Sequence, residues 1–215
     1  MNDKAPRAGL GETLAQARTG GFFLWFHLTE VDDVAAIHAG GRDDGMAWHR
    51  FRPSGERFRP LVELALGIDD QGRIAASCLG VDRGFIGSPA SRPFARDIVK
   101  SYLQWILPAD AAAALDTETD AIGQFCDGES VVIVRQSAVR PSLFDARGAG
   151  DGGIADVFMG QAAVAERQVR RTRIAFENLI EPLPQGVMSE PRARRAVPKT
   201  DEDAWLRITV AAATG

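Results

Sequence analysis

Imidazole is the side chain best suited to moving protons near neutral pH and to binding zinc-like cations. The chain has three histidines, His27, His38 and His49, spaced eleven residues apart, with Glu30, Asp32, Asp33, Asp43 and Asp44 among them. If a strand carrying His27 pairs with one carrying His49, imidazoles and a carboxylate meet, which is the raw material of a general base or of a metal-dependent enzyme. The spacing itself has no mechanical rationale as a ligand motif. His27, His49 and His38 are therefore catalytic candidates only, and neither a metal nor a cofactor is expected. Histidines that end an aromatic run or lie on an apolar helix stripe also serve structure alone.

Guanidinium groups are the second chemistry. His49-Arg50-Phe51-Arg52 and Arg57-Phe58-Arg59 flank Gly55. An antiparallel ribbon folded at that glycine would put Arg50, Arg52, Arg57 and Arg59 beside aromatic rings, a surface that binds phosphate and stacks on bases. The competing reading is a solvated edge protected by charge. Arg167, Arg170, Arg171 and Arg173 form a comparable cluster, for which ion pairing is as good an account. The third candidate is Gly148, Gly150 and Gly153, which satisfies G-x-G-x-x-G ahead of a helical pattern. A dinucleotide fingerprint needs its glycines directly after a strand, and here Pro141 and a loop intervene, so flexibility is the simpler reading. Asp116 to Asp120 begins like a calcium loop, but Ala121 stands where the sharp turn needs glycine. No nucleophile-elbow, Walker or paired-thiol motif is present.

The elements that must hold these groups are read from periodicity. In 57–69 and 72–82, apolar residues alternate with polar or small ones around Asp69-Asp70-Gln71-Gly72, predicting a hairpin with Gly72 in the left-handed region. Phe94, Ile98, Tyr102 and Ile106 fall four apart with Val99 and Leu103 beside them, predicting a helix over 93–107. A helix near 10–18 precedes an apolar run at 22–28 that reads as a strand covered on both faces. Thr29 and Asp32 suit the start of a helix over 30–39, and with a strand at 46–52 this makes a possible parallel crossover. The stripe Ile154, Phe158, Ala162, Ala165, Val169, Phe176 and Ile180 favours one long helix, although Arg173 to Phe176 also alternates like a strand.

The expected fold is α+β, a mostly antiparallel sheet with strands near 46–52, 57–69, 72–82, 131–136 and 204–212 plus 22–28. Helices near 93–107, 109–125 and 154–180 cover it. The expected organisation is one domain over 1–181, an extended proline-rich linker over 182–200, and a strand in 201–215 that packs back on the domain or on a partner subunit.

A hydrophobic share of 45% in 215 residues supports a full core, and a net charge of -4 argues against a protein whose main task is coating nucleic acid or anionic lipid. No stretch approaches the roughly 18 uncharged apolar residues of a membrane span. The start, Met1-Asn2-Asp3-Lys4, lacks a signal core, and the two cysteines, Cys78 and Cys126, are far apart in sequence. A cytoplasmic protein with free buried thiols is expected. With its chemistry scattered and its tryptophans numerous, the sequence reads as a non-enzymatic protein-interaction module, homodimeric through the long helix and last strand. The alternatives are an enzyme of the His27, His38 and His49 region and an anion or nucleic-acid binder at Arg50 to Arg59.

Overall fold

The computed structural model describes residues 9–31, 46–56, 58–59, 61–115, 153–160, 162–169, 171–182 and 202–212. The expected strand at 131–136, the distal part of the helix at 109–125, and His38, Arg57, Gly148 and Gly150 lie outside them. The described residues build a seven-stranded, wholly antiparallel sheet and a layer of helices, so the α+β class is borne out. In chain order the strands are β1 Leu28–Glu30, β2 Ala47–Pro53, β3 Val62–Ile68, β4 Ile74–Asp82, β5 Val164–Val169, β6 Thr172–Pro182 and β7 Glu202–Ala212. The helices are α1 Leu14–Arg18, α2 Gly21–Trp25, α3 Arg83–Gly87, α4 Arg92–Ile106, α5 Ala109–Ala114 and α6 Ile154–Met159. The order across the sheet is β1-β2-β3-β4-β7-β6-β5. The last strand therefore lies inside the sheet, between β4 and β6.

Alternation explains the two faces. Val62, Leu64 and Leu66 of β3, Leu79 and Val81 of β4, and Leu206, Ile208 and Val210 of β7 occupy paired positions and point to one side. There they form a single core with Phe22 and Phe23 of α2, Ile98, Val99 and Tyr102 of α4, and Ile154, Val157 and Phe158 of α6. The Tyr102 hydroxyl donates to Ser77 Oγ at 3.0 Å, satisfying two buried polar groups where α4 crosses β4. Burial raises the Tyr102 phenol well above its ordinary ionisation range.

The expected turn holds: Asp69 Oδ1 accepts from the Gln71 and Arg73 amides, and Gly72 has φ 74°. The helix at 93–107 is also found, as α4. Phe94, expected on its buried stripe, is instead 59% exposed, and Ala95 takes the inward place.

Three expectations are corrected. The run 22–28 is not a strand: α2 is helical, with the Leu24 amide bonded to Gly20 O and the Phe26 amide to Phe22 O. A short apolar run does not distinguish strand from helix by period, and here only one flank is covered, Phe22 stacking on Trp105 at 5.3 Å and Phe23 meeting Phe51 edge-on at 5.0 Å. Residues 28–30 are β1, so the helix expected over 30–39 does not begin at Glu30, and its residues 32–39 lie outside the described residues; β1 pairs antiparallel with β2, so no parallel crossover joins them. The long helix at 154–180 does not exist either. α6 stops at Gly160, which takes φ 79°, and the chain continues as the hairpin of β5 and β6, with Val169 opposite Thr172. Buried polar groups hold that break in place. Asn178 Nδ2 donates to Val157 O at 2.9 Å and to Ala162 O at 2.7 Å, and Arg83 Nη1 donates to Phe158 O at 2.7 Å. Burial lowers the Arg83 guanidinium to about 10.

Gly9 marks the tightest approach to the α4 end of the core. A Cβ there would lie 2.8 Å from Trp105 Cε2 and 2.9 Å from Cζ2, and the indole has little freedom to retreat because it is stacked on Phe22. Gly9→Ala is expected to cost about 1–3 kcal/mol through overpacking, read as a lower urea midpoint with unchanged m-value. A midpoint equal to wild type would contradict this packing.

Candidate functional site

The chemistry-bearing residues divide between a corner and a face. At the corner, α1, α2 and β1 meet the outer end of β2. Thr13 and Gln16 form a reciprocal capping box that starts α1. This helix delivers Arg18, whose guanidinium pairs with Glu30 of β1. The other carboxylate oxygen of Glu30 lies 2.6 Å from His49 Nδ1. One carboxylate thus links three elements, and a ring whose Nδ1–H is donated to it presents Nε2 as an acceptor. All three side chains are partly exposed.

His27 does not join this cluster. It is the residue immediately before β1, at φ 47°, a conformation costing about 1 kcal/mol for a side chain with a Cβ. Its carbonyl accepts from the Ser54 amide. His49 projects to the helix side, at a position paired with Leu66, so the expected meeting of His27 with His49 does not occur. Among the described residues no group of three or more His, Cys, Asp or Glu side chains converges as a metal site.

The opposite face, which carries no helix among the described residues, holds the arginines. The predicted ribbon of paired arginines is not formed: β2 ends at Pro53, the chain turns through residues bonded back to Gly55 O, and β3 begins only at Val62. Arg59 lies in that turn. Arg50 faces Ala65 across the strands, and Arg52 pairs with Glu63. At the far side, Arg207 pairs with Glu177 at 2.7 Å and Arg173 with Glu166 at 2.7 Å. The sequence cluster at 167–173 is therefore engaged in ion pairing at Arg173. Between the two sets the floor is small, Ala65, Gly67, Ala76, Cys78 and Gly80, and tryptophans lie across it. A Cβ on Gly67 would come within 3.1 Å of the Trp48 ring, and one on Gly80 within 3.4 Å of Trp205. Glycine is what lets the indoles sit on the strands.

Cys78 is on this face and fully covered. Burial pushes its thiol up to about 12, only partly offset by the Thr209 hydroxyl 3.6 Å away, so it is no nucleophile near neutral pH. Gly153, the one member of the glycine motif within the described residues, is the N-cap of the six-residue α6, its amide donating to Asp156 Oδ2 at 2.8 Å. In comparisons with known proteins, no family model matches the chain, no curated protein matches its sequence and no solved structure matches it.

Two expectations follow from this geometry. Glu30→Gln replaces an acceptor-only carboxylate with an amide that can accept from or donate to His49 Nδ1, so the neutral imidazole should change from one dominant Nδ1–H tautomer to a mixture, visible in its ¹⁵N shifts; an unchanged ratio would show that Glu30 does not orient the ring. For Cys78, the unfolded thiol ionises near 9.0 and the folded one near 12, so the unfolded chain releases its proton first as pH rises. The contribution is whole below pH 9 and is lost between 9 and 12. At pH 10 wild type should have lost about 1.4 kcal/mol more than Cys78→Ser, relative to pH 7. Parallel losses in urea titrations would contradict the burial.

Proposed function

We propose that the protein acts by contact rather than catalysis, as a cytoplasmic module that pairs with a second copy of itself through the corner of α1, α2 and β1. The observation that carries this reading is on α2, where Leu24 and Trp25 are 61% and 62% exposed. They adjoin Phe26, whose ring lies 4.8 Å from that of Trp25. Trp205 is buried and Trp48 and Trp105 are largely covered, so Trp25 is the tryptophan left outside. An exposed indole beside a leucine, rimmed by charge, has the composition of an interface centre.

The rim favours self-pairing. Arg18 and Glu30 stand side by side, so a two-fold axis through the corner sets each against its opposite in the second copy, as an isologous interface requires. The long helix and final strand, expected from sequence as the contact elements, no longer support the dimer, since one is absent and the other is spent inside the sheet. A cytoplasmic setting is supported by the free, buried Cys78. No helix among the described residues is long and apolar enough to cross a membrane.

A second reading, proton-transfer chemistry at His49, draws support from the 2.6 Å contact with Glu30. It ranks lower because Glu30 is the one group, among the described residues, hydrogen-bonded to that ring.

Sedimentation at micromolar concentration should give twice the 23.2 kDa chain mass for wild type. Leu24→Ser with Trp25→Ser should sediment as a monomer with an unfolding free energy within about 0.5 kcal/mol of wild type, as expected for exposed positions. A wild type that is monomeric at every concentration, or a variant that remains dimeric, refutes the proposed corner.

A further inference from the structure

We propose that Arg50 anchors a binding site for a small oxyanion, a carboxylate or phosphate group, on the face of the sheet opposite the core. Four arginines of the described strands stand on this face, and their surroundings differ. Arg52, Arg173 and Arg207 each pair with a glutamate of the same face. Arg50 has Ala65 opposite it and Cys78 on the strand beyond. Among the described residues no carboxylate pairs with it, it is only partly exposed, and its Nε is buried without a hydrogen-bond partner.

A guanidinium cannot escape this position by losing its proton, as a lysine or histidine can. A half-buried, uncompensated charge lowers stability, and an apolar residue on Ala65 would serve the sheet better. What an arginine adds is a planar fork of donors that fits a carboxylate or phosphate through two parallel hydrogen bonds. The small side chain of Ala65 leaves the fork unobstructed from β3, while Trp48 and the Arg52–Glu63 pair flank it two residues to either side on β2. The other three arginines of the described strands on this face are already neutralised. One cation unpaired among the described residues suits one small anion and not a polynucleotide, whose binding needs several phosphate contacts at once. The site lies on the face opposite His49 and is independent of the α2 corner.

The test is thermal unfolding of the full chain with sodium succinate or sodium phosphate, each against sodium chloride at equal ionic strength. General exclusion of salt from the surface raises wild type and variant alike. The excess in wild type over Arg50→Gln is the signal, expected to be about 2–4 °C at saturation. Arg50→Lys, which keeps charge but loses the fork, should retain only part of it. A larger excess with succinate assigns a carboxylate ligand, and one with phosphate a phosphate ligand. Equal shifts in wild type and Arg50→Gln overturn the site. Should Arg50→Gln not fold, the Arg50 Nε–H resonance of wild type is titrated with the same salts. A saturable shift supports the site, and a resonance that moves only as it does in chloride overturns it.

Discussion

The structure depends on the insertion of β7 between β4 and β6. Without it the chain offers two incomplete sheets, the meander of β1 to β4 and the hairpin of β5 and β6, each with an open edge where the core should continue. β7 closes both. It pairs with β6 along its whole length, from Glu202 opposite Pro182 to Ala212 opposite Thr172, and with β4 from Trp205 opposite Asp82 to Ala211 opposite Ala76. Its inward residues Leu206, Ile208 and Val210 are fully buried and lie between the β4 and β6 contributions to the core. The alternation that buries these three aims Trp205, Arg207 and Thr209 at the other face. A slip of one residue would exchange the two sets, so the register is fixed by the core it completes.

That two-sidedness explains how the surface is divided. The inward face is apolar and is sealed by α2, α4 and α6, and polar groups there are anchored by bonds such as that of Tyr102 with Ser77 or of the Asn178 amide nitrogen with the carbonyls of the α6 end, while Asn178 Oδ1 and Trp105 Nε1 are buried without a partner among the described residues. The outward face is built from small residues under indoles at its centre, with cross-strand ion pairs towards either side. Among the described residues Arg50 breaks that pairing rule. The corner of α1, α2 and β1 breaks another, by leaving Leu24 and Trp25 outside while Phe22 and Phe23 of the same turn of helix are buried. Five residues of helix cannot bury an entirely apolar circumference against one neighbour, and the surplus is what remains to bind.

Much of the frame was legible in the sequence because its signals are local. The hairpin around Asp69 and Gly72, the stripe of α4 and the alternation of β7 each rest on residues within one element. The errors occur where local pattern is compatible with two structures. Phe22 to Trp25 is apolar throughout, so its period is silent, and the choice of helix is made by the distant Trp105 and Phe51. The stripe across 154–180 joined a helix to two strands, and the stop at Gly160 was the signal available to break it. Between Val169 and Thr172 the sequence reads Arg-Arg, without the asparagine or glycine that would announce a hairpin. For the sites, Glu30 lay beside the histidines in sequence, but its link to Arg18 was invisible until α1 folded onto β1. The arginine ribbon failed because the connection between β2 and β3 is longer than a tight turn. That Arg50 faces Ala65 rather than a carboxylate is a property of cross-strand register, which no single segment encodes.

Native-state hydrogen exchange on β7 tests the central claim most directly. If β7 is the strand that unites the sheet, amides of residues 206–210 exchange only through global unfolding, at the same free energy as those of β3 and β4. Exchange of these amides through local opening, at rates like those of the edge strands β1 and β5 while β3 and β4 stay protected, would contradict it.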